Sequence, residues 1–480
     1  MDLAAQAREG VGAPPAESQT ARVAVLAVLA ALLLFASLRG QGLAGYDDAV
    51  YAYEGREMLR TGDWWNIRFN GNLNFEYPPL FLWMEAAFFK VFGANDAAAK
   101  VPSALLGFGT ILLTYFLAVE LTGQAWLSLL AMIVLASTQF FLKNATHAMT
   151  DVPFTFFFAL AIYFYIKGLK SKRYLLFFGV PLGLALLTRS VIGFLVAGIV
   201  VGHAILTKRY RVLGSPWFVG GIVLGLVLPS VWCVSQGRLH GAASFASHLR
   251  FVTGKIYAES GTTKWATVFN YPVALLKYYW PWLPFLLAGL FMAAKAAVRQ
   301  KEEAAILLIV WVLVILVPFS LVQTRYPRYI MPVFPAFSIL SAIALDHWLP
   351  VSRRKVFFNL LCGVGCLAIC LSFLFPPKAR AGDMVKLAPI AEANSSPDQR
   401  ILIYTYEDGR RDYLCQFVWY SNRYAQLADN LDDLAVKLHR TDKTTVIIDK
   451  QSYGKLLPLI PEKTPQVLGE SENLICFRSS

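Results

Sequence analysis

The stretch from Ala304 to Val322 reads Ala-Ala-Ile-Leu-Leu-Ile-Val-Trp-Val-Leu-Val-Ile-Leu-Val-Pro-Phe-Ser-Leu-Val, without a single charge. A helix rises about 1.5 Å per residue, so a run of this length crosses the roughly 30 Å hydrocarbon core of a bilayer. Similar runs recur along the chain, at approximately Val23 to Leu38, Val101 to Leu121, Ala125 to Leu142, Val152 to Ile166, Tyr174 to Leu187, Val191 to Leu206, Trp217 to Val234, Val273 to Ala294, Tyr329 to Leu349 and Val356 to Phe375. The pattern is that of a polytopic α-helical membrane protein with about eleven to thirteen spans.

Composition agrees. Of 480 residues, 56% are hydrophobic and only 16% charged, against roughly a quarter charged in a soluble protein. An ordinary water-soluble enzyme and a disordered chain are both excluded. Ser37-Leu38-Arg39-Gly40 lacks a small-x-small cleavage site, so the first run is read as a retained span rather than a signal peptide.

The net charge of +13 would suggest nucleic acid on a soluble protein, but its distribution assigns it to topology. Lys167, Lys170, Lys172 and Arg173 follow the fourth span, Lys208, Arg209 and Arg211 the sixth, Lys295, Arg299 and Lys301 the eighth, and Arg353, Arg354 and Lys355 the tenth. Basic loops stay in the cytoplasm. The N-terminus is then cytoplasmic, an odd number of spans puts the tail outside, and no nucleic-acid partner is called for.

The opposite loops mix acids, bases and histidines: Asp47, Asp48, Glu54 and Glu76, then Lys143, His147 and Asp151, then Arg189, then His240, His248, Arg250, Lys255 and Glu259, then Arg325 and Arg328. Such a rim suits an extracytoplasmic active site. A transporter or flippase of lipid-linked sugars, the main alternative, would need ionisable groups near the midplane, and the middles of these spans are almost free of them.

Three regions follow. Residues 1–21 form a cytoplasmic Ala/Pro-rich leader, 22–375 the transmembrane catalytic domain with its first outer loop at 39–100, and 376–480 a small extracytoplasmic α/β domain. In the last, Ile401 to Tyr406 and Thr444 to Ile448 read as strands and Leu427 to Leu438 as an amphipathic helix. Cys362, Cys366 and Cys370, at i, i+4 and i+8, read as one buried helix face. Cys415 and Cys476 fall in the tail and could pair in an oxidising compartment.

The first outer loop carries the most chemistry. Gly45 to Leu59, Gly-Tyr-Asp-Asp-Ala-Val-Tyr-Ala-Tyr-Glu-Gly-Arg-Glu-Met-Leu, opens an interfacial helix with two adjacent carboxylates. Either could cap the helix; one cap leaves the other aspartate unexplained, and a carboxylate there suits general-base work. Trp64 and Trp65 sit where an aromatic belt belongs, Asn70-Gly71-Asn72 makes a turn, and Phe75-Glu76-Tyr77-Pro78-Pro79-Leu80 leads into a second interfacial helix. Glu76 is either a solvated loop acid or an acid with a task. Asp151, before Val152-Pro153, reads as a helix N-cap or a catalytic acid. His147 alone reads as an interfacial histidine, and His240 and His248 are weakly spaced for a metal. Arg325 and Arg328, outside positives against the cytoplasmic bias, suit a phosphate. Gly107-Phe108-Gly109 is helix packing rather than a phosphate loop.

In this order the acidic pair, the Arg56-Glu57-Met58-Leu59 helix end, Thr61-Gly62-Asp63-Trp64-Trp65, the Asn-Gly turn and Phe75-Glu76-x-Pro78-Pro79-Leu80-x-x-Trp83 resemble the aminoarabinose transferase and protein O-mannosyltransferase superfamily of GT-C glycosyltransferases. Met149-Thr150-Asp151, Leu187-Thr188-Arg189, Pro281-Trp282 and Arg328-Tyr329-Ile330-Met331-Pro332 follow in the expected order, so the resemblance covers roughly residues 20 to 350.

The resemblance implies a GT-C fold in a bacterial inner membrane. It implies inverting transfer of a sugar from a polyprenyl-phosphate carrier, undecaprenyl phosphate in bacteria, to an acceptor hydroxyl on lipid A, another glycan, a lipid or a protein. Asp47 matches the catalytic acid, with Asp48 and Asp151 beside it; Arg189, Arg325 and Arg328 would bind the donor phosphate. Tyr77 stands where the family usually has Lys or His, so that cation is lost. Some members bind a divalent metal through the Glu of this motif and a later histidine. Here Glu76 is the candidate ligand, no histidine matches the later position, and no other cofactor is implied. His147, His248 and Arg250 remain further site candidates.

Overall fold

The computed structural model describes the chain apart from residues 1–15, 40–41, 44, 258–269, 323–325, 375–381, 406–409, 442 and 480. It divides into two compact units. One comprises residues 1–37, 75–81 and 101–375, and the other residues 38–74, 82–100 and 376–480. Most of the first outer loop thus folds with the C-terminal segment. Glu259 and Arg325 lie outside the described residues.

In the first unit, the described residues hold nine helical segments long and apolar enough to cross a membrane, and a tenth if Ala125–Ser137 and Gln139–Ala145, bent by 64°, form one span. One of the nine, Tyr174–Leu206, consists of the helix Tyr174–Arg189, a 3-10 turn Ser190–Phe194 and the helix Leu195–Leu206. The chain reverses at this turn. Arg189 pairs with Asp151 at the start of the helix Asp151–Lys170, whereas His203, later in sequence, meets the Tyr165 hydroxyl at 2.8 Å about 20 Å further along that same helix. The segment is thus divided into two helices of opposite direction, where the sequence reading places two spans.

Lipid supplies no hydrophobic drive between spans, so close packing decides how they associate. Gly179 and Gly183 on one helix face Gly221 and Gly225 on Pro216–His240; a Cβ at Gly179 would overlap the Gly221 carbonyl, and one at Gly183 the Gly225 carbonyl. Gly107 and Gly109 likewise meet Ala145 and Phe156. The aromatic run after Asp151 is core: Phe154, Phe158 and Tyr165 are buried. The cysteine reading is corrected. Cys366 and Cys370 are exposed and Cys362 half-buried, because the helix Arg354–Leu374 packs with few of its side chains and turns most of its apolar surface outward.

In the second unit, strands β1 (Arg68–Phe69) and β2 (Asn72–Leu73) form a hairpin in register Arg68↔Leu73. Asn70 and Gly71 turn it with φ of 52° and 85°, the left-handed pair that favours Asn-Gly. The tail builds a five-stranded sheet from β3 (Ile401–Tyr404), β4 (Ala425–Leu427), β5 (Thr445–Asp449), β6 (Gln466–Glu470) and β7 (Leu474–Arg478), in the order β4-β3-β5-β7-β6. The first three are parallel, with Leu402 opposite Val446, and β7 and β6 are antiparallel, with Ile447 opposite Cys476. β3 and β5 match the strands read from sequence; the helix expected from Leu427 begins at Leu431, where the Asn430 side chain accepts from the Asp433 amide at 2.7 Å. Cys415 and Cys476 are buried free thiols, and burial pushes the Cys476 thiol up to about 12.

Three ties hold the first loop to the tail within this unit. Arg56 donates to the carbonyls of Trp419, Val418 and Ser421 at 2.7, 2.6 and 3.2 Å, filling acceptors at the end of the helix Arg410–Tyr420. Asn70 exchanges a pair of hydrogen bonds with the Ala425 backbone at 2.7 and 3.0 Å. Asp96 accepts from Trp419 Nε1 at 2.8 Å and from the Tyr420 hydroxyl at 3.0 Å.

Candidate active site

The helix Asp151–Lys170 starts at Asp151 with Thr150 as its cap, so Asp151 lies in the first turn and is not the N-cap expected from the sequence. Its carboxylate is 2% exposed. One oxygen bonds Arg189 Nη1 and the other lies 3.9 Å from Arg328 Nε. Two guanidinium groups from distant segments are thereby gathered on one buried acid. Each also covers an aromatic face: Arg189 stands 5.2 Å from the Tyr329 ring centre and Arg328 4.7 Å from that of Tyr326.

Arg189 reaches a cavity of about 250 Å³. Val191, Ile192, Leu195, Phe251 and Phe319 give it apolar walls, and Arg189, Glu76, Ser190 and His248 give it a polar end. The exit of the helix Tyr174–Arg189 is unusual. Ser190 has φ 57° and ψ −143°, a backbone region nearly reserved for glycine, at a cost on the order of 1–3 kcal/mol. Its Oγ lies 2.7 Å from His248 Nε2, and His248 Nδ1 lies 3.0 Å from the Phe75 carbonyl oxygen. Tyr77 packs edge-on against Phe251 with ring centres 5.0 Å apart, so this position supplies aromatic wall.

Of the candidates from sequence, Glu76, Tyr77, Arg189 and His248 line this one cavity. Asp151 and Arg328 hold Arg189 and each other. His147 is half-buried and Arg250 exposed, its Nε on the Ala246 carbonyl one turn back; neither lines the cavity. Nothing in the residue types around Ser190 signals its role, since a strained backbone angle leaves no trace there.

Asp47 and Asp48 belong to the second unit. They stand in the first turn of the helix Gly45–Thr61, where the dipole favours carboxylates, rather than at its cap. Asp47 is half-buried and Asp48 1% exposed. Glu54, one oxygen held by Asn74 Nδ2 at 2.6 Å, and Glu85 of the helix Leu80–Phe92 are fully buried nearby. Among the described residues neither oxygen of Glu85 has a hydrogen-bond donor. Burial first, and then the charges of Glu54 and Asp48, hold the Glu85 carboxyl well above the usual range.

Among the described residues no group of three His, Cys, Asp or Glu side chains gathers as a metal site. Glu76 and His248 share the cavity, but both ring nitrogens of His248 are engaged, one by a carbonyl and one by a hydroxyl. The donor set does not fit a resident metal.

Residues 76–234 match the family of dolichyl-phosphate-mannose-protein mannosyltransferases. The undecaprenyl phosphate-alpha-4-amino-4-deoxy-L-arabinose arabinosyl transferase 2 of Sodalis glossinidius is 28% identical over 358 residues, covering 69% of this chain and 61% of that protein. The chain spans under two thirds of the length of its first curated relatives. In fold it is similar to ArnT from Cupriavidus metallidurans, at a TM-score of 0.77 for the apo state and 0.73 for that protein bound to undecaprenyl phosphate. The sequence identities are 19% and 18%, with 96% of this chain and 98% of that one covered in both cases.

Proposed function

As a member of the superfamily of aminoarabinose transferases and protein O-mannosyltransferases of GT-C type, the chain is, we propose, a glycosyltransferase. It moves a sugar from a polyprenyl-phosphate carrier to an acceptor hydroxyl on the extracytoplasmic face of a bacterial inner membrane. The observation that carries the reading is the cavity with apolar walls and, at its polar end, a half-buried arginine paired with the buried Asp151. A lipid phosphate needs both: grease for the prenyl tail and a rigid cation for the head. The related structure bound to undecaprenyl phosphate supports the same ligand class.

In this reading Arg189 receives the donor phosphate, its planar fork oriented by Asp151. The acceptor oxygen attacks the anomeric carbon as the bond from that carbon to the phosphate oxygen breaks, in one displacement with inversion. Positive charge develops on the sugar and negative charge on the departing phosphate. Arg189 stabilises the latter where it appears. Arg328 serves the same charge, and a carboxylate takes the acceptor's proton, the role the sequence resemblance gives to Asp47. The leaving product is polyprenyl phosphate, and no metal step is required.

The test uses the purified full chain in lipid nanodiscs with undecaprenyl-phosphate 4-amino-4-deoxy-L-arabinose, the donor in the relative's name, and lipid A as acceptor. Transfer is expected, with Arg189→Ala reducing kcat/KM by about 100-fold, the loss of one strong transition-state contact. A wild type that leaves this donor and polyprenyl-phosphate hexoses intact with lipid A, glycan and protein acceptors contradicts the reading.

A further inference from the structure

The Ser190 and His248 pair is not explained by packing. A helix that ends with a positive φ is ended at least cost by glycine, yet position 190 carries a hydroxyl there and tolerates the strain. That hydroxyl does not bond its own helix; it reaches His248, 58 residues later, which in turn reaches the Phe75 carbonyl. Three separate segments thus fix one oxygen at the polar end of the cavity.

The direction of the protons follows from the end of the chain of bonds. A carbonyl oxygen only accepts, so Nδ1 of His248 carries a hydrogen, and in the neutral ring Nε2 then accepts the proton of the Ser190 hydroxyl. A serine ordinarily presents both a donor and an acceptor. Here its donor is used up, and what it turns to the cavity is lone pairs. Glu76, in the same cavity, as a carboxylate also only accepts. Next to them Arg189 only donates. The polar end is thus divided by chemistry: one side suits an anion, the other a group that brings its own O–H or N–H.

We propose that Ser190, polarised by His248, is a specificity-determining acceptor for a hydroxyl or amine of the donor sugar, while Arg189 takes the adjoining phosphate. The assignment rests on the reading of the cavity as the donor seat. It places Ser190 in contact with substrate and makes His248 a positioning residue, whose task is to remove the hydroxyl's choice of role. It also predicts that sugars carrying a polar hydrogen at one ring position are chosen over sugars lacking it there, because a buried acceptor left without a donor is costly.

The experiment crosses variants with donors. Steady-state kinetics are measured for wild type, Ser190→Ala, Ser190→Gly and His248→Phe with undecaprenyl-phosphate 4-amino-4-deoxy-L-arabinose and with its 2-deoxy, 3-deoxy and 4-deoxy analogues. For one analogue, wild type should lose roughly 2- to 10-fold in kcat/KM, the range of a single neutral hydrogen bond. Ser190→Ala should lose a similar factor with the parent donor and nothing further with that analogue. Ser190→Gly should behave like Ser190→Ala in kinetics while unfolding at a higher temperature than it, which separates contact from strain. His248→Phe should blunt the same discrimination. If Ser190→Ala keeps the wild-type preference against every analogue, the assignment is overturned and the donor reading stands. If wild type transfers from none of these donors, both fall.

Discussion

Replacing Glu85 by Gln should stabilise the second unit, and increasingly so as pH rises. The carboxyl is 0% exposed, its Cβ lies so near Gly55 that a side chain there would meet it at 2.9 Å, and neither oxygen finds a donor. Burial, then Glu54, then Asp48 raise its pKa. The folded state therefore holds a proton that the unfolded chain releases above about pH 4.3. For a group whose folded pKa is raised, stability is complete below the unfolded pKa and is lost as pH climbs towards the folded one. The slope is about 1.4 kcal/mol per pH unit, from one proton bound on folding. From pH 5 to pH 7 that amounts to about 2.7 kcal/mol if the carboxyl stays protonated throughout. Gln has the same shape without the titration. The assay is thermal unfolding of wild type and Glu85→Gln in one detergent between pH 5 and 8. The gap between the Tm values should widen steadily with pH in favour of the variant. Parallel curves, or a variant less stable than wild type at pH 7, would refute a neutral, unpartnered acid.

Arg56→Ala should expose the tail to limited proteolysis, because three carbonyls of Val418, Trp419 and Ser421 lose their donor at once; hydrogen bonds to a charged group contribute about 1.5–3 kcal/mol. Gly179→Val should abolish accumulation of folded protein, since no Cβ fits against the Gly221 carbonyl, whereas Gly62→Ala, with open space around it, should cost only its strained φ of 70°. Asp151→Asn should raise KM for the lipid donor more than it lowers kcat, because it frees Arg189 without removing it; an unchanged KM would speak against that positioning role.

How much of this was legible depends on the range of each interaction. Apolar runs such as Ala304 to Val322 announce themselves one by one, and the two strands 401–404 and 445–449 did so by composition. The face that a run buries is not local information, so Cys362, Cys366 and Cys370 were placed inward on a helix that packs little. The neighbours of Asp151 in sequence suit a helix cap as well as a catalytic acid, while its partners, Arg189 and Arg328, come from other segments and leave no local mark. Arg56 and Asn70 act on residues 418–425, more than 350 positions away, and nothing in the first loop announces that reach. β4 is three residues long and β6 is mostly exposed, so both gain their definition from pairing, whereas β7, Leu-Ile-Cys-Phe-Arg, is as apolar and as long as β5 and was open to the same reading. Ser190 is legible only through a dihedral angle.

The most direct test of sugar transfer as the function is a paired measurement on Asp47→Asn in nanodiscs: binding of undecaprenyl phosphate and the rate of sugar transfer from the charged donor. Binding should match wild type, and transfer should fall by at least about 100-fold, as expected on losing a general base. Transfer at the wild-type rate would contradict the assignment of Asp47.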